Sequence, residues 1–308
     1  MKILVTGGAG FIGSHVADAY INAGHLVTII DDLSTGRKEN VNPKAKFIQL
    51  DLRSEMLRGV FREEKFDIVN HLAAQMDIRK SVEDPIYDAS INIIGSVNLL
   101  GKCQEYGVRK FIFSSTGGAV YGEQDYFPAD EQHPNRPLSP YGISKLTIEK
   151  YLYYYHVVYG LPYVALRYAN VYGPRQNPRG EAGVIAIFTT KMLAGELPVI
   201  NGDGKQTRDY VFVDDVVNAN VRALQHDKTD IFNIGTGIET TVNEVFKLLN
   251  ESTGAHCNEQ HGPAKKGEQQ RSVLETAKAR KELGWAPQVN LNRGLERTVE
   301  FFRTNKIS

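Results

Sequence analysis

Short apolar runs rich in β-branched residues alternate with longer amphipathic stretches through the first half of the chain. The runs Lys2–Thr6, Leu26–Asp31, Lys46–Gln49, 67–70, 110–114 and 163–167 are apolar enough to be buried on both faces, which predicts parallel strands. Between them, helical periodicity at 11–23, 55–64, 85–106 and Pro140–Tyr159 supplies the crossovers such a sheet needs. Beyond Tyr172 the pattern changes: connections rich in Gly, Pro and Asn (GPRQNPRG, NGDGKQT, HGPAKKGEQQ) join shorter helices, which predicts a smaller, ligand-closing domain. One later run, 231–234, is expected to rejoin the first sheet. The expected class is therefore α/β, with a first domain of residues 1–172 plus about 207–235, and a second of about 173–206 and 236–308.

Composition narrows what such a protein binds. The chain has 308 residues, 42% of them hydrophobic, with 36 basic residues against 36 acidic ones. No global field recruits nucleic acid or an anionic membrane, so an anionic ligand has to be held locally. Cys103 and Cys257 are too few for a disulfide scaffold, and no apolar run approaches the roughly 20 residues of a membrane span. With a strand starting at Lys2 in place of a secretory signal, the expected location is the cytoplasm. His71, His133 and the other histidines lack metal spacing, and no metal is expected.

Two motifs carry chemistry. Strand KILVT runs into GGAGFIG and then a helix, and only glycine lets a backbone turn that tightly against a pyrophosphate at a helix N-terminus. Gly7, Gly10 and Gly13 give GxxGxxG; Gly8, Gly10 and Gly13 also satisfy GxGxxG. Asp31 ends the second strand about 20 residues further on, where a carboxylate accepts the adenosine ribose hydroxyls and repels a 2′-phosphate. This favours NAD over NADP, with Arg37 the residue that would argue the other way. Asp51 and Leu52 close the third strand and either face the adenine or, for Asp51, cap a turn. The second motif, SPYGISK, places Tyr141 and Lys145 at i and i+4 on one helix face. A tyrosine titrating near about 10 is a poor base at neutral pH unless a cation stabilises its phenolate, which Lys145 can do.

Glycine turn, Asp31, then FIFSSTGGAVYG at a strand end, then YGISK, follow in the order found in the extended short-chain dehydrogenase/reductase family, which the whole chain resembles. Within that family it is most similar to the UDP-glucose 4-epimerases. The resemblance implies a Rossmann-type, doubly wound sheet with a smaller substrate-binding domain, and a cycle in which a UDP-hexose is oxidised at C4 by bound NAD and reduced again from the opposite face. It implies that Thr116 hydrogen-bonds the reacting hydroxyl, Tyr141 is the acid/base, and Lys145 binds the nicotinamide ribose. It places Phe11, Ile12, Asp32, Leu72, Ala73, Ala74, Asn92, Ser114 and Tyr168 at the cofactor. The segment after Ser114 is one residue longer than in many epimerases, so either Ser115 or Thr116 carries the catalytic hydrogen bond, Thr116 being preferred. The 4,6-dehydratases need an extra acid and base here, and Gly117 and Gly118 cannot serve.

For the substrate half, the resemblance assigns Asn170 of RYANVYGPRQ and Arg208 of DGKQTRDYVFVDD to the diphosphate, Glu268 and Arg271 to closure over diphosphate and uridine ribose, and Ser115 and Val184 to the sugar-nucleotide pocket. Asp209 is expected to orient Arg208 or cap a turn, and Asp214 to cap the following helix. Lys265 stands where relatives often carry arginine. Ser272 occupies the place that abuts the sugar C2 substituent, and its small size admits N-acetyl groups beside hydroxyls. A UDP-glucuronate epimerase or decarboxylase is the competing enzyme and would need a cation such as Arg79 or Lys80 at the C6 carboxylate. A non-catalytic dinucleotide sensor has no use for Thr116, Tyr141 and Lys145 together. The family further implies a homodimer, built from the helices 85–106 and Pro140–Tyr159.

Overall fold

The structure, a computed structural model, describes residues 1–178, 183–264 and 269–305. The β-branched runs form a seven-stranded parallel sheet in the order β3-β2-β1-β4-β5-β6-β10. Its strands are β1 (Lys2–Thr6), β2 (Leu26–Asp31), β3 (Lys46–Gln49), β4 (Ile68–His71), β5 (Lys110–Thr116), β6 (Tyr163–Tyr168) and β10 (Asp230–Ile234). Order reverses between β1 and β4, so a crevice opens at the carboxyl ends of these two strands. Three further strands, β7 (Asn170–Tyr172), β9 (Thr207–Phe212) and β11 (Glu239–Thr241), form a mixed sheet, and β8 (Val199–Asn201) pairs in parallel with β12 (Gln260–Gly262).

Helices cover both faces of the large sheet, as its all-apolar strands require. On one side Phe11–Asn22 and Val213–Gln225 bury Val16, Tyr20, Val216 and Ala219 against Ile3, Val5 and Phe232. On the other, Leu57–Glu64, Gly95–Glu105 and Pro140–Tyr159 bury Phe61, Leu99, Ile148 and Leu152 against Leu4, Phe111 and Phe113. A third core, with Phe188, Phe246, Leu295 and Val299, joins helices Val184–Leu193, Val242–Thr253 and Leu291–Thr304 beside β7 and β9. None of the described helices is long and apolar enough to cross a membrane.

Differences from the sequence pattern arise where side-chain partners outweigh periodicity. β5 runs on to Thr116, which sits opposite Tyr168 of β6. The expected helix 85–106 is interrupted: Pro85–Ala89, capped by Asp84, leads through a π-helical turn, Ser90–Ile94, into Gly95–Glu105. A short helix, Ile78–Glu83, precedes it, capped by Asp77, whose carboxylate accepts from the Arg79 and Lys80 amides. Helix Pro140–Tyr159 forms as its signals dictate. Ser139 caps it by accepting from the Gly142 amide, Pro140 occupies the first turn, and Gly160 ends it at φ +70°.

Two glycines are demanded by close approach. Gly7 turns at φ +70°, and a Cβ there would lie 2.6 Å from the Ala73 nitrogen. A Cβ on Gly13 would lie 2.1 Å from the Gly7 carbonyl oxygen, because the helix after the turn packs directly on it. Gly13→Ala is expected to lower the unfolding free energy by about 2–3 kcal/mol, measured by chemical denaturation, since backbone on both sides leaves no atom free to give.

Candidate active site

The glycine turn, the end of β2 and the loop after β4 make the first wall. Helix Phe11–Asn22 starts at Gly10 with no side-chain cap and no acidic residue in its first turn, leaving its positive end for an anion. Asp31 is buried and braces the turn, Oδ2 accepting from the Ala9 amide at 3.0 Å and Oδ1 from Leu33 at 2.9 Å. Burial pushes its pKa up while these two donors oppose the shift. A carboxylate offers about four acceptor sites, so two vicinal hydroxyls can still be met. The Arg37 amide bonds the Ala9 carbonyl, folding the loop after Asp31 over the turn. Asp32 lies outside, in a local turn with Ser34. Across the crevice Leu72 and Ala73 hang from Thr6, their amides bonding its carbonyl and hydroxyl oxygens. With Ala74 they are half-buried. A cradle that any Cβ at Gly7 or Gly13 would fill, an uncapped helix end and a carboxylate at the second strand together fit a dinucleotide with a free 2′-hydroxyl.

Other sequence-assigned positions are already occupied by the protein's own contacts. Asp51 is paired with Arg53, which holds its carboxyl below the usual range, and Arg53 also reaches the Ser90 hydroxyl. Leu52 is buried, its carbonyl accepting from Asn98 at 2.6 Å. Asn92, in the π turn, gives both side-chain N–H donors away, to the Gln75 carbonyl at 2.8 Å and Asp88 at 2.9 Å, and accepts from the Gln75 amide. It grips the cofactor-side loop by its backbone. Tyr168 is buried in the core, its hydroxyl accepting from Asn220. Phe11 and Ile12 are half-buried at the start of their helix.

Tyr141 and Lys145 project from the first turns of helix Pro140–Tyr159 toward the end of β5. Lys145 is 4% exposed, and its ammonium donates to the Ser114 carbonyl at 2.8 Å and lies 5.8 Å from the centre of the Tyr141 ring. Burial pulls its pKa down to about 8, against the pull of Asp88 and Glu149. The two hydroxyls left open by the sequence face opposite sides of β5. Ser115 is buried and donates to Glu149 Oε1 at 2.6 Å, so the structure turns it away from the substrate assignment made above, into the sheet–helix core. Thr116 Oγ1 accepts from the Ala119 amide, capping the helical turn Gly117–Val120 that takes up the extra residue. A Cβ on Gly117 would strike Leu274 at 2.5 Å, and one on Gly118 would touch both Thr116 Oγ1 and Asn170 Oδ1 at 3.9 Å. Thr116 and Asn170 therefore converge over Gly118.

The second wall comes from the mixed sheet. Arg208 is half-buried on β9, with Nη1 donating to the Thr207 carbonyl. Arg271 is exposed, pairs with both oxygens of Glu239 at 2.7 and 2.9 Å, and stacks 3.8 Å from the centre of the Phe127 ring. Ser272 is buried and Val184 opens its helix, packed against the third core. Glu268 and Lys265 lie outside the described residues. Asp209 caps a turn, one of the two roles expected for it: it accepts from the amides of Thr236, Gly237 and Leu274 and the Thr236 hydroxyl, tying β9 to the turn after β10. Asp214 is not the cap of its helix, which begins after Phe212 without one; it sits in the first turn, paired with Arg297. Arg79 and Lys80 stay with their own short helix, against Asp77 and the Tyr87 ring. Among the described residues no cluster of three His, Cys, Asp or Glu groups forms a metal site.

Several residues that sequence reasoning missed support this site. Glu149 and Arg167 form a buried bidentate pair, and Arg167 also donates to the Tyr121 hydroxyl. Glu149 lies four residues after Lys145, a helix-face signal that was available. His71 and Asp88 had none, because their partners are remote in the chain. Burial lowers the His71 pKa to about 3, so it is neutral. Ser96 gives its only proton to the Asn92 carbonyl, so His71 must donate through Nε2 to Ser96 and accept at Nδ1 from Thr6, linking β1 to the π turn.

Residues 3–235 match the NAD dependent epimerase/dehydratase family. The chain is 53% identical to the UDP-glucose 4-epimerase of Thermotoga maritima solved with UDP-glucose, with a TM-score of 0.97 and 99% of each chain covered. It is 44% identical to the Thermus thermophilus UDP-glucose 4-epimerase solved with NAD (TM-score 0.93, 98% of this chain and 99% of that one). It is 36% identical to a UDP-N-acetylglucosamine 4-epimerase from Methanobrevibacter ruminantium solved with UDP-N-acetylmuramic acid (TM-score 0.94, 98% of each). Since one buried charge stranded without its partner costs more than losing the pair, Arg167→Met is expected to destabilise by about 3–5 kcal/mol. Arg167→Met with Glu149→Leu should recover much of that in the same denaturant titration.

Proposed function

The chain belongs to the NAD-dependent epimerase/dehydratase family, and from that premise we propose that it inverts the C4 hydroxyl of UDP-hexoses, interconverting UDP-glucose with UDP-galactose and UDP-GlcNAc with UDP-GalNAc. The observation that carries this reading is the buried Lys145 ammonium, anchored on Ser114 beside the Tyr141 ring at the mouth of the glycine crevice.

When bound, NAD supplies the two-electron acceptor and donor at C4. Tyr141, as phenolate, takes the proton of the C4 hydroxyl and later returns it. Lys145 makes that phenolate available by setting a positive charge beside it and turns its remaining donors to the nicotinamide ribose. Thr116 hydrogen-bonds the reacting hydroxyl and holds it toward Tyr141. That Thr116 and Asn170 flank Gly118 together supports a single cleft for the reacting hydroxyl and the diphosphate. Asp31 receives the adenosine ribose and the amides after Gly10 receive the pyrophosphate.

Asn170, Arg208 and Arg271, with Glu268, retain the diphosphate and uridine ribose while the sugar turns its other face. Guanidinium forks suit two phosphate oxygens at once. Arg271 exchanges Glu239 for phosphate as substrate arrives, so closure of the second wall is coupled to binding. The small side chain of Ser272 is what supports room at C2 for an acetamido group. Tyr153, Val157 and Val158 on helix Pro140–Tyr159, with Ile86 and Ile94, leave an apolar face exposed. That face suits pairing of two copies through these helices in a cytoplasmic homodimer.

Tyr141→Phe is expected to bind UDP-galactose normally and lose about 10²–10⁴-fold in kcat, read by coupled assay; near-wild-type turnover would remove Tyr141 from its role. Thr116→Ala should fall at least tenfold in kcat, Ser115→Ala much less. With a panel of UDP-sugars read by NMR at C4, both UDP-galactose and UDP-GalNAc should turn over, and Ser272→Tyr should abolish only the latter; conversion of UDP-galactose alone by the wild type sinks the open C2 pocket.

A further inference from the structure

Asp88 is wholly buried, yet among the described residues no cation is bonded to it. Its Oδ2 accepts from the Ser144 hydroxyl at 2.6 Å, and its Oδ1 from the side-chain amides of Asn92 at 2.9 Å and Gln75 at 3.2 Å. All three partners are neutral. A carboxylate removed from water keeps its charge only with strong donors and some opposite charge within reach. The other buried acid nearby, Glu149, has its charge matched by the two-pronged grip of Arg167. Asp88 has no such match, and the residue after its Ser144 partner is Lys145, itself buried with one carbonyl as its anchor. The two uncompensated buried charges of this region are thus Asp88 and Lys145.

We propose that Asp88 is the counter-charge of Lys145: a positioning residue that holds a positive ammonium next to Tyr141 without bonding it, so that the ammonium's remaining donors stay open to ligand. A direct ion pair would take up those donors. Routed through Ser144, Asp88 acts by field alone, and its other oxygen fastens the π turn and the loop after β4 to the same helix.

The charged and titratable groups around Lys145 come from four elements: Tyr141 and Glu149 on its own helix, Asp88 on Pro85–Ala89, His71 on β4 and Arg167 on β6. His71 is neutral, and Arg167 offsets Glu149. Burial draws Lys145 down to about 8, with Asp88 the largest opposing influence. Removing the Asp88 charge then lets Lys145 lose its proton at lower pH, and with it the stabilised phenolate.

The test is the pH profile of kcat for the NAD-loaded enzyme at saturating UDP-galactose. Asp88→Asn keeps an acceptor for Asn92 and Gln75 and an amide that can donate to Ser144, but removes the charge. Its alkaline limb is expected to fall by about one pH unit, with KM for UDP-galactose within twofold and bound NAD retained. Ser144→Ala keeps the charge and removes one neutral donor, so its limb should lie at or above the wild-type pH; this milder variant decides the matter if Asp88→Asn does not fold. An unmoved limb in Asp88→Asn, or a fall in Ser144→Ala as large as that expected for Asp88→Asn, overturns the proposal. It rests on the assignment of Tyr141 and Lys145. An unmoved limb in an enzyme whose turnover still requires Tyr141 sinks this inference alone, whereas near-normal turnover in Tyr141→Phe sinks both.

Discussion

A lysine ammonium buried at the carboxyl edge of a parallel sheet must be supplied with partners, and much of the molecule around β5 is arranged to supply them. Lys145 is anchored on the Ser114 carbonyl, which sits at the end of β5 because that strand runs on to Thr116. The helix carrying Lys145 is pinned to β5 and β6 by Glu149, which takes the Ser115 hydroxyl and the Arg167 guanidinium together. Arg167 continues to Tyr121, and Tyr121 to Asn233 of β10. A charge that water would have solvated is thus held by a connected polar frame, and such a frame is rigid because each member, if freed, leaves a buried group unpaired.

The same logic governs the crevice between β1 and β4. Gly7 and Ala73 approach so closely that the loop after β4 has little freedom, and Thr6 receives both of its first amides. The chain of bonds from Thr6 through His71 and Ser96 to the Asn92 carbonyl ties this loop to the π turn. A widened helical turn is costly by itself. Here it brings Asn92 onto Gln75 and Asp88, so the cost is offset by closing the buried cluster beneath the site.

The second wall is built differently. Its arginines stand on the mixed sheet and on the segment before Leu274, and Arg271 is exposed and paired with Glu239. An exposed pair of this kind contributes little to stability and leaves its guanidinium readily exchangeable to another anion. The wall around Lys145 is therefore rigid and buried, while the wall proposed to admit the nucleotide sugar is held by replaceable contacts.

The sequence by itself determined the parallel sheet, the glycine turn, the acid at the end of β2 and the Tyr141–Lys145 spacing, because each is written in local periodicity or in a few neighbouring residues. It could not determine which of Ser115 and Thr116 turns inward, since adjacent strand residues face opposite sides and only the Glu149–Arg167 pair settles which side is core. Nor could it show that Asn92 grips a loop by its backbone, or that Asp88 and His71 take part at all. Those roles depend on atoms distant in the chain meeting in a water-free interior, where an unpaired polar group is expensive enough to dictate its partner, and only the tertiary structure decides which groups are so confined.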